Sequence, residues 1–145
     1  MEGAAPNLRR RGFSVDTGVS RQVSAGIAAL RAKRDNGNLR RQVVVHLGTN
    51  GTFSRGQCKA IRKVVGKHRN LVLLTVKVPR DWTAGNNRVI SRCAKRYSNV
   101  YLLDWQRYVK RHHGLLYPDG YHLTAKGARK YAALVDHRVD GLPGH

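Results

Sequence analysis

Asp119 and His122 are a carboxylate and an imidazole three residues apart, just ahead of a stretch with helical spacing. At this separation the carboxylate can accept a hydrogen bond from the imidazole Nδ1–H, which leaves Nε2 free to take a proton from a nucleophile. The pair also has a plain structural interpretation, because polar residues are common on surfaces and at helix starts such as Thr124. Taken alone, the pair indicates either general-base chemistry or a capped surface turn.

A second polar group, Gly48-Thr49-Asn50-Gly51, directly follows an apolar run. The Asn50 side-chain amide can donate a hydrogen bond to a developing oxyanion, and flanking glycines let backbone and substrate approach closely. Asn and Gly are also preferred turn residues, so a simple turn is the alternative interpretation.

The elements that must position these residues alternate along the chain. Apolar, β-branched runs at 43–47, 71–78 and 100–103 predict strands buried on both faces, and a weaker run at 13–19 predicts a fourth strand. Helical spacing is found at 23–34, 56–68, 87–97 and 124–136. Strands alternating with helices predict a parallel α/β sheet.

Ligands of parallel α/β sheets bind in the crevice outside the carboxyl ends of the strands. The polar signals fall at this edge: Asn50 closes the first run, Arg80 and Trp82 follow the second, and Asp104 closes the third. The sequence therefore predicts one site built from several loops.

Two sequence blocks, VVVHLGTNG and YPDGYHLTAKGARKYA, resemble the SGNH hydrolase superfamily in their order and separation. Within it they are most similar to the domain found with bacterial acyltransferase-3 membrane proteins. The resemblance implies a flavodoxin-like, three-layer α/β fold with Asn50 in the oxyanion hole and Asp119 and His122 as catalytic residues. It further implies a serine esterase or O-acyltransferase that acts on acyl, notably acetyl, esters of a carbohydrate or cell-wall polymer, without cofactor or metal.

In this family an early glycine donates a second backbone N–H to the oxyanion, and the similar segment here, VDTGVSRQ, has Ser20 at that position. A backbone donor needs only steric room, so Ser20 is expected to serve; an ordinary loop serine is the alternative. The loop residues Gly48, Thr49, Gly51, Arg80 and Trp82 are expected to bind substrate. The residues that fall on recurring positions of the subgroup are Pro79, Trp82, Asn87, Asp104 and Trp105. Of these, Asp104 and Trp105 are expected to be structural.

Family members open with a buried strand that leads to Gly-Asp-Ser, whose serine is the nucleophile, followed by a helix similar to residues 1–11. The helix is recognisable here, whereas the strand and the Gly-Asp-Ser are not. We therefore expect a domain truncated at its start, without its nucleophile and its first, central strand, and with negligible ester hydrolysis as written. The sheet should then either be split beside 43–47 or pair that strand directly with 13–19. Ser20 is the one remaining serine near the relevant edge, and it is not a convincing replacement nucleophile.

The formal net charge of +20, from 28 Lys and Arg against 8 Asp and Glu, predicts non-specific affinity for polyanions. The basic residues are scattered and not gathered on one arm. A non-catalytic basic module that binds an anionic polymer or nucleic acid is the alternative function, although no known nucleic-acid-binding motif is recognisable.

A chain of 145 residues fits one domain, placed at 1–138 with a tail at 139–145. Cys58 and Cys93 match no metal-ligand spacing and lie in helical stretches, so free buried thiols are expected in preference to a disulfide. No apolar run approaches the ~18 residues of a membrane span, and no signal peptide is recognisable. Compartment and oligomeric state stay open.

Overall fold

The computed structural model describes residues 2–144 and contains a three-stranded parallel sheet. The strands are β1 (Gln42–Val45), β2 (Asn70–Leu74) and β3 (Val100–Leu103), in the spatial order β1-β2-β3. Val43 of β1 is in register with Leu71 of β2, which is in register with Val100 of β3. The predicted α/β class and the three main strands are confirmed.

Helices precede and separate the strands. A short 3₁₀ turn (Glu2–Ala4) leads into the first helix, and the α-helices are α1 (Ala5–Arg9), α2 (Val23–Asp35), α3 (Arg55–Val65), α4 (Trp82–Arg96), α5 (Trp105–Arg111) and α6 (Ala125–Asp140). Their starts follow ordinary capping chemistry: Ser54 and Gln57 form a capping box at α3, and Thr124 accepts a hydrogen bond from the Gly127 N–H at α6.

The helices cover both faces of the sheet, which gives the expected three layers. Helices α2, α3 and α4 pack on the face that carries Val43 and Val45, whereas α1, α5 and α6 pack on the face that carries Val44. Successive residues of a strand point to opposite faces. Every residue of β2 from Leu71 to Leu74 is buried, as its continuous apolar run predicts.

The prediction of a strand at 13–19 was wrong, because this segment is an extended loop. A strand requires a neighbour whose backbone completes its hydrogen bonds. Within residues 2–144, β1 pairs with β2 alone and 13–19 does not reach its other edge. The expected alternatives were a gap beside 43–47 or direct pairing of that strand with 13–19. The structure has the gap, which is a cleft lined by residues of β1 and of the 13–20 segment.

The prediction of free thiols was also wrong, because Cys58 of α3 and Cys93 of α4 form a disulfide. Both helices were predicted, but not that they lie side by side with the two Cα atoms 6.2 Å apart. That separation is within the range a disulfide spans.

Two further elements differ from the sequence analysis. Helix α5 was not predicted; Asp104 caps it by accepting a hydrogen bond from the Arg107 N–H, and Trp105 is fully buried, as expected of structural residues. Helix α6 continues to Asp140, beyond the predicted end of the helix at 136, and Val139 in its last turn is buried.

Candidate active site

Asp119 and His122 lie in a hairpin-like loop between α5 and α6. The backbone closes this loop by a bond from the Tyr117 N–H to the His122 carbonyl, 2.9 Å, and by a turn bond from the Gly120 N–H to the Tyr117 carbonyl, 2.9 Å. Pro118 and Gly120 suit that turn, since Pro presets one φ angle and Gly120 adopts φ +73°. The sequence Tyr-Pro-Asp-Gly-Tyr-His thus sets the dyad on a defined turn.

The two catalytic candidates contact each other directly. His122 Nδ1 lies 2.7 Å from Asp119 Oδ2, and Asp119 Oδ1 accepts the Tyr121 and His122 backbone N–H groups at 2.8 and 3.1 Å. A carboxylate can only accept, so Nδ1 carries the proton and Nε2 of the neutral ring is the basic nitrogen. The His122 side chain is 80% exposed, which leaves Nε2 open to a substrate or nucleophile.

The hydrogen bond from His122 holds the pKa of Asp119 at about 2, below its usual value, with smaller contributions from the Tyr121 and His122 backbone N–H groups. Each of these bonds favours the ionised carboxylate. Asp119 is therefore a fixed anion near neutral pH, which is the form that orients an imidazole.

The loop after β1 holds Asn50 beside the same cleft. Gly48 and Gly51 have φ angles of +102° and +123°, and a side chain on Gly48 would meet Asn86. The Asn50 amide donates to Thr49 Oγ1 at 3.2 Å, and both residues line the cleft. These positive φ angles favour glycine at positions 48 and 51. Asn50, between them, lines the cleft with its neighbour Thr49.

Asn86 is the residue that holds this loop, and the sequence analysis did not identify it. Its buried amide donates to the Gly48 and Gly51 carbonyls at 2.9 and 2.8 Å, while its oxygen accepts the Phe53 N–H at 2.7 Å. The neighbouring Asn87 pairs in the same way with both backbone groups of Val76. Two adjacent asparagines, Asn86 and Asn87, on a predicted helix that buries Ile90 and Cys93 were the available signal.

Ser20 has φ +52°, and it is the one non-glycine residue with positive φ among residues 2–144. This is the left-handed conformation that glycine adopts easily and other residues adopt at a cost. Ser20 also lines the cleft.

The cleft has a volume of about 1120 Å³ and brings together four of the predicted site residues: Ser20, Thr49, Asn50 and His122. Arg80 and Trp82 do not line it. Arg80 lies over the rings of Trp82 and Tyr121, with its guanidinium carbon 5.7 and 5.5 Å from their centroids. Arg80 and Trp82 were predicted to bind substrate. They lie next to the loop that carries Asp119 and His122, because Arg80 also contacts Tyr121 of that loop.

His46 at the end of β1 also lines the cleft, and the sequence analysis gave it no role. Its Nδ1 lies 2.9 Å from the hydroxyl of Tyr131 on α6, and its Nε2 is buried without a hydrogen-bond partner among residues 2–144. Burial lowers the pKa of His46 to about 3, against a smaller opposing contribution from the Thr75 carbonyl, and burial raises the pKa of Tyr131. The hydrogen bond between the neutral His46 and Tyr131 side chains connects the end of β1 to α6.

Several features are absent from the described part of the chain. Across residues 2–144 no hydroxyl or thiol makes a hydrogen bond to His122, and no group of three His, Cys, Asp or Glu side chains is arranged to hold a metal ion. None of the helices in that range has the length and apolar character needed to cross a membrane.

No family model matches the chain. It is 32% identical over 129 residues to the Bacillus subtilis protein YrhL and 31% identical over 122 residues to the Staphylococcus aureus O-acetyltransferase OatA, covering 87% and 83% of this chain. The C-terminal catalytic domain of Streptococcus pneumoniae peptidoglycan O-acetyltransferase A shares its fold, with a TM-score of 0.83 at 18% identity over 96% of this chain and 87% of that one. The chain belongs to the SGNH hydrolase superfamily.

This SGNH domain spans 20% of the length of each of the two curated relatives. Its structural similarity to the pneumococcal domain concerns the fold.

Proposed function

We propose that this SGNH domain transfers acyl groups, with acetyl as the expected group, to or from hydroxyls of a cell-wall carbohydrate. The observation that carries the proposal is the Asp119–His122 pair, with its 2.7 Å bond and exposed Nε2, at the end of a cleft that Asn50 and Ser20 also line. General base and oxyanion donors at one cleft are the groups that serine-dependent acyl transfer requires.

In the proposed reaction His122 Nε2 removes the proton of a serine hydroxyl as that oxygen attacks the ester carbonyl. The Asn50 amide and the Ser20 backbone N–H donate hydrogen bonds to the oxyanion, and Asp119 stabilises the imidazolium. His122 then gives its proton to the leaving alcohol, which leaves an acyl-enzyme. Water yields ester hydrolysis, whereas a sugar hydroxyl yields O-acyl transfer by the same steps.

The serine hydroxyl is supplied from outside residues 2–144 in this account. Inside that range no hydroxyl makes a hydrogen bond to the His122 side chain. We therefore propose that the 145-residue chain alone hydrolyses acyl esters negligibly, since removal of a serine nucleophile from a comparable hydrolase costs about 10⁶ in kcat.

The test is an esterase assay with p-nitrophenyl acetate on two proteins. One is the 145-residue chain, and the other carries an added apolar strand and Gly-Asp-Ser ahead of Met1. We expect turnover from the extended protein alone, its loss in His122→Ala, and a reduction of about 10²–10³ in Asn50→Ala. His122-dependent turnover by the unextended chain contradicts an external nucleophile, and an inactive, folded extended protein contradicts the acyl-transfer function.

The substrate class is inferred from the curated relatives, which include an O-acetyltransferase, together with the Cys58–Cys93 disulfide. Structural disulfides persist in oxidising surroundings. Both features support a place of action outside the cytoplasm, where cell-wall polysaccharide is available.

The net charge of +20 favours a second candidate function, binding of an anionic polymer. Arg55, Arg88 and Arg92 line a second cavity, of about 390 Å³. Binding that weakens steeply with added salt and is unchanged in His122→Ala supports this function, whereas salt-independent binding contradicts it.

A further inference from the structure

Helices α3 and α4 lie side by side on one face of the sheet, where the Cys58–Cys93 disulfide joins them. The three strands are parallel, and each of these helices returns the chain from the carboxyl end of one strand to the amino end of the next. Both helices therefore run in the same direction. They begin at the edge of the sheet where Asn50 follows β1.

The two helices carry repeated positive charge and contain no Asp or Glu. Exposed basic residues recur at every fourth position: Arg55, Lys59 and Lys63 on α3, and Arg88, Arg92 and Arg96 on α4. We call these six residues the basic face. Residues four apart lie about 6 Å from each other on one side of a helix, and like charges at that spacing destabilise the helix. The pattern therefore opposes helix stability instead of supporting it.

Within residues 2–144 no acidic side chain pairs with these charges. None of the six side chains forms an ion pair or a hydrogen bond there, and Arg96 alone contacts an aromatic ring, with its guanidinium carbon 5.8 Å from the centroid of Tyr97. Asp81, the acidic residue nearest in sequence, precedes α4. A bound polyanion would relieve the repulsion along both helices at once.

A cavity of about 390 Å³ lies between the start of α3 and the first turns of α4, and three residues of the basic face line it: Arg55, Arg88 and Arg92. Arg88 Nη2 lies 3.9 Å from the position that a side chain on Gly85 would occupy, and Gly85 lines the cavity as well. A guanidinium group pairs with phosphate oxygens through parallel N–H donors. Three such groups at one cavity suit a phosphate group.

Two sets of contacts connect this cavity to the catalytic cleft. Asn86 lines the cavity, and its amide holds the loop that carries Asn50. Trp82 lines the cavity too, and Arg80 lies over both its ring and the ring of Tyr121, which lines the cleft. A polymer bound in the cavity therefore lies close to residues that shape the catalytic cleft.

The walls of the cavity and the surface of the two helices define the rest of the occupant. Phe53, Trp82 and Val89 give the cavity apolar walls, which suit the carbon chain of a polymer repeat. Across α3 and α4, which the structure describes in full, no exposed position carries an aromatic side chain on which a nucleobase could stack. The basic face therefore favours a phosphodiester polymer of sugars or polyols over nucleic acid.

We propose that the basic face binds a linear phosphodiester polymer of sugars or polyols, with one phosphate in the cavity lined by Arg55, Arg88 and Arg92. Neighbouring phosphates lie between the two helices and contact the other residues of the basic face. Such a polymer offers hydroxyls to the catalytic cleft. The inference deepens the proposed function, and it rests on that function in treating the bound polymer as the acyl acceptor.

The experiment is fluorescence anisotropy on the full chain with a fluorescein-labelled synthetic hexamer of glycerol phosphate. We expect binding that weakens steeply as NaCl rises from about 50 to 200 mM. Arg55→Gln/Arg88→Gln/Arg92→Gln should weaken binding by about tenfold or more. It should also lower the slope of log Kd against log salt by about 2, because contacts to phosphates are lost.

A triple variant on the opposite face of the sheet is the matched control. Arg107→Gln/Arg111→Gln/Arg129→Gln removes the same charge from exposed positions on α5 and α6 and should change the affinity by less than about twofold. Thermal melts show whether both variants fold. If the first does not, amide chemical-shift changes in the unchanged protein decide, and these should concentrate on α3 and α4 when the hexamer is added.

Equal weakening by the two triple variants overturns the proposal, because net charge and not the basic face then accounts for binding. Shift changes confined to α5 and α6 also overturn it. Tighter binding of a short DNA duplex, of polygalacturonate or of phosphatidylglycerol vesicles than of the hexamer, at equal charge concentration, overturns it as well. The face then prefers nucleic acid, a carboxylate polymer or a lipid surface.

The serine-extended protein separates this inference from the acyl-transfer function. The control variant should keep both p-nitrophenyl acetate hydrolysis and acetyl transfer to the hexamer, whereas the Arg55/Arg88/Arg92 variant should lower the ratio of transfer to hydrolysis by about tenfold. Esterase activity without hexamer binding supports the function and overturns the inference. Hexamer binding without esterase activity supports the binding face and counts against the function. Binding and hydrolysis without acetylated hexamer overturn the acceptor role.

Discussion

The orientation of His122 is decided by one residue, Asp119, whose two oxygens have separate tasks. Oδ1 accepts two backbone N–H groups and fixes the carboxylate, and Oδ2 accepts the imidazole Nδ1–H. Because the hydrogen bond from His122 holds the pKa of Asp119 at about 2, the carboxylate that accepts the imidazole Nδ1–H is ionised across the whole physiological range.

At Ser20 the left-handed backbone imposes a cost that glycine avoids. We expect Ser20→Gly to raise the free energy of unfolding by about 0.5–1 kcal/mol, because φ +52° disfavours a side chain. Urea unfolding checks this. Ser91→Gly, inside α4, is the control and should lower stability by a similar amount; equal losses in both variants would contradict a strained Ser20.

His46 makes stability depend on pH. Its folded pKa, about 3, lies below the unfolded value near 6.5, so its stabilising contribution is complete above pH 6.5 and declines as the pH falls towards 3. Between pH 7.5 and 5.0 we expect a loss of about 1–2 kcal/mol in the free energy of unfolding.

Urea melts of His46→Gln across this range should show a flatter pH dependence. His68→Gln, at an exposed position, is the matched control and should keep the original slope. A pH dependence of His46→Gln identical to that of the unchanged protein would refute the assignment.

At the level of elements, the disulfide joins α3 to α4 across 35 residues of sequence. Removing a crosslink that closes a loop of this size should lower stability by about 2–4 kcal/mol. We expect this loss in Cys58→Ala/Cys93→Ala. Reductant should destabilise the unchanged protein and leave the double variant unaffected, and two titratable thiols under non-reducing conditions would contradict the crosslink.

The elements also show what sequence alone could predict. The runs at 71–78 and 100–103 identified β2 and β3 because Leu71 to Leu74 are buried on both faces and Val100 and Leu103 are buried at the ends of β3. The weaker run at 13–19 has no pairing partner among residues 2–144, and pairing is not encoded in one segment. The disulfide could not be predicted because it depends on the distance between two helices, and α5 was missed because two turns give little periodicity.

On the scale of the whole molecule, the site residues that could be identified from sequence belong to recognisable motifs. Those that were missed have roles that depend on how the chain packs. Asp119, His122 and Asn50 stand in recognisable blocks that meet at one edge of a parallel sheet. Asn86 and His46 were missed because their roles depend on which loops and helices they contact. A gap beside 43–47 was one of the two arrangements expected from sequence, whereas the lining of the cleft by residues of the 13–20 segment is known only from the three-dimensional arrangement.

The proposed acyl-transfer function requires an acyl-enzyme whose formation depends on His122. Mass spectrometry of the extended protein after mixing with an acetyl ester should find one acetyl group on the added serine. That adduct should be lost in His122→Ala and discharged faster when a cell-wall oligosaccharide is added. Acetylation of the serine at an unchanged rate in His122→Ala would contradict the central claim that this dyad activates the nucleophile.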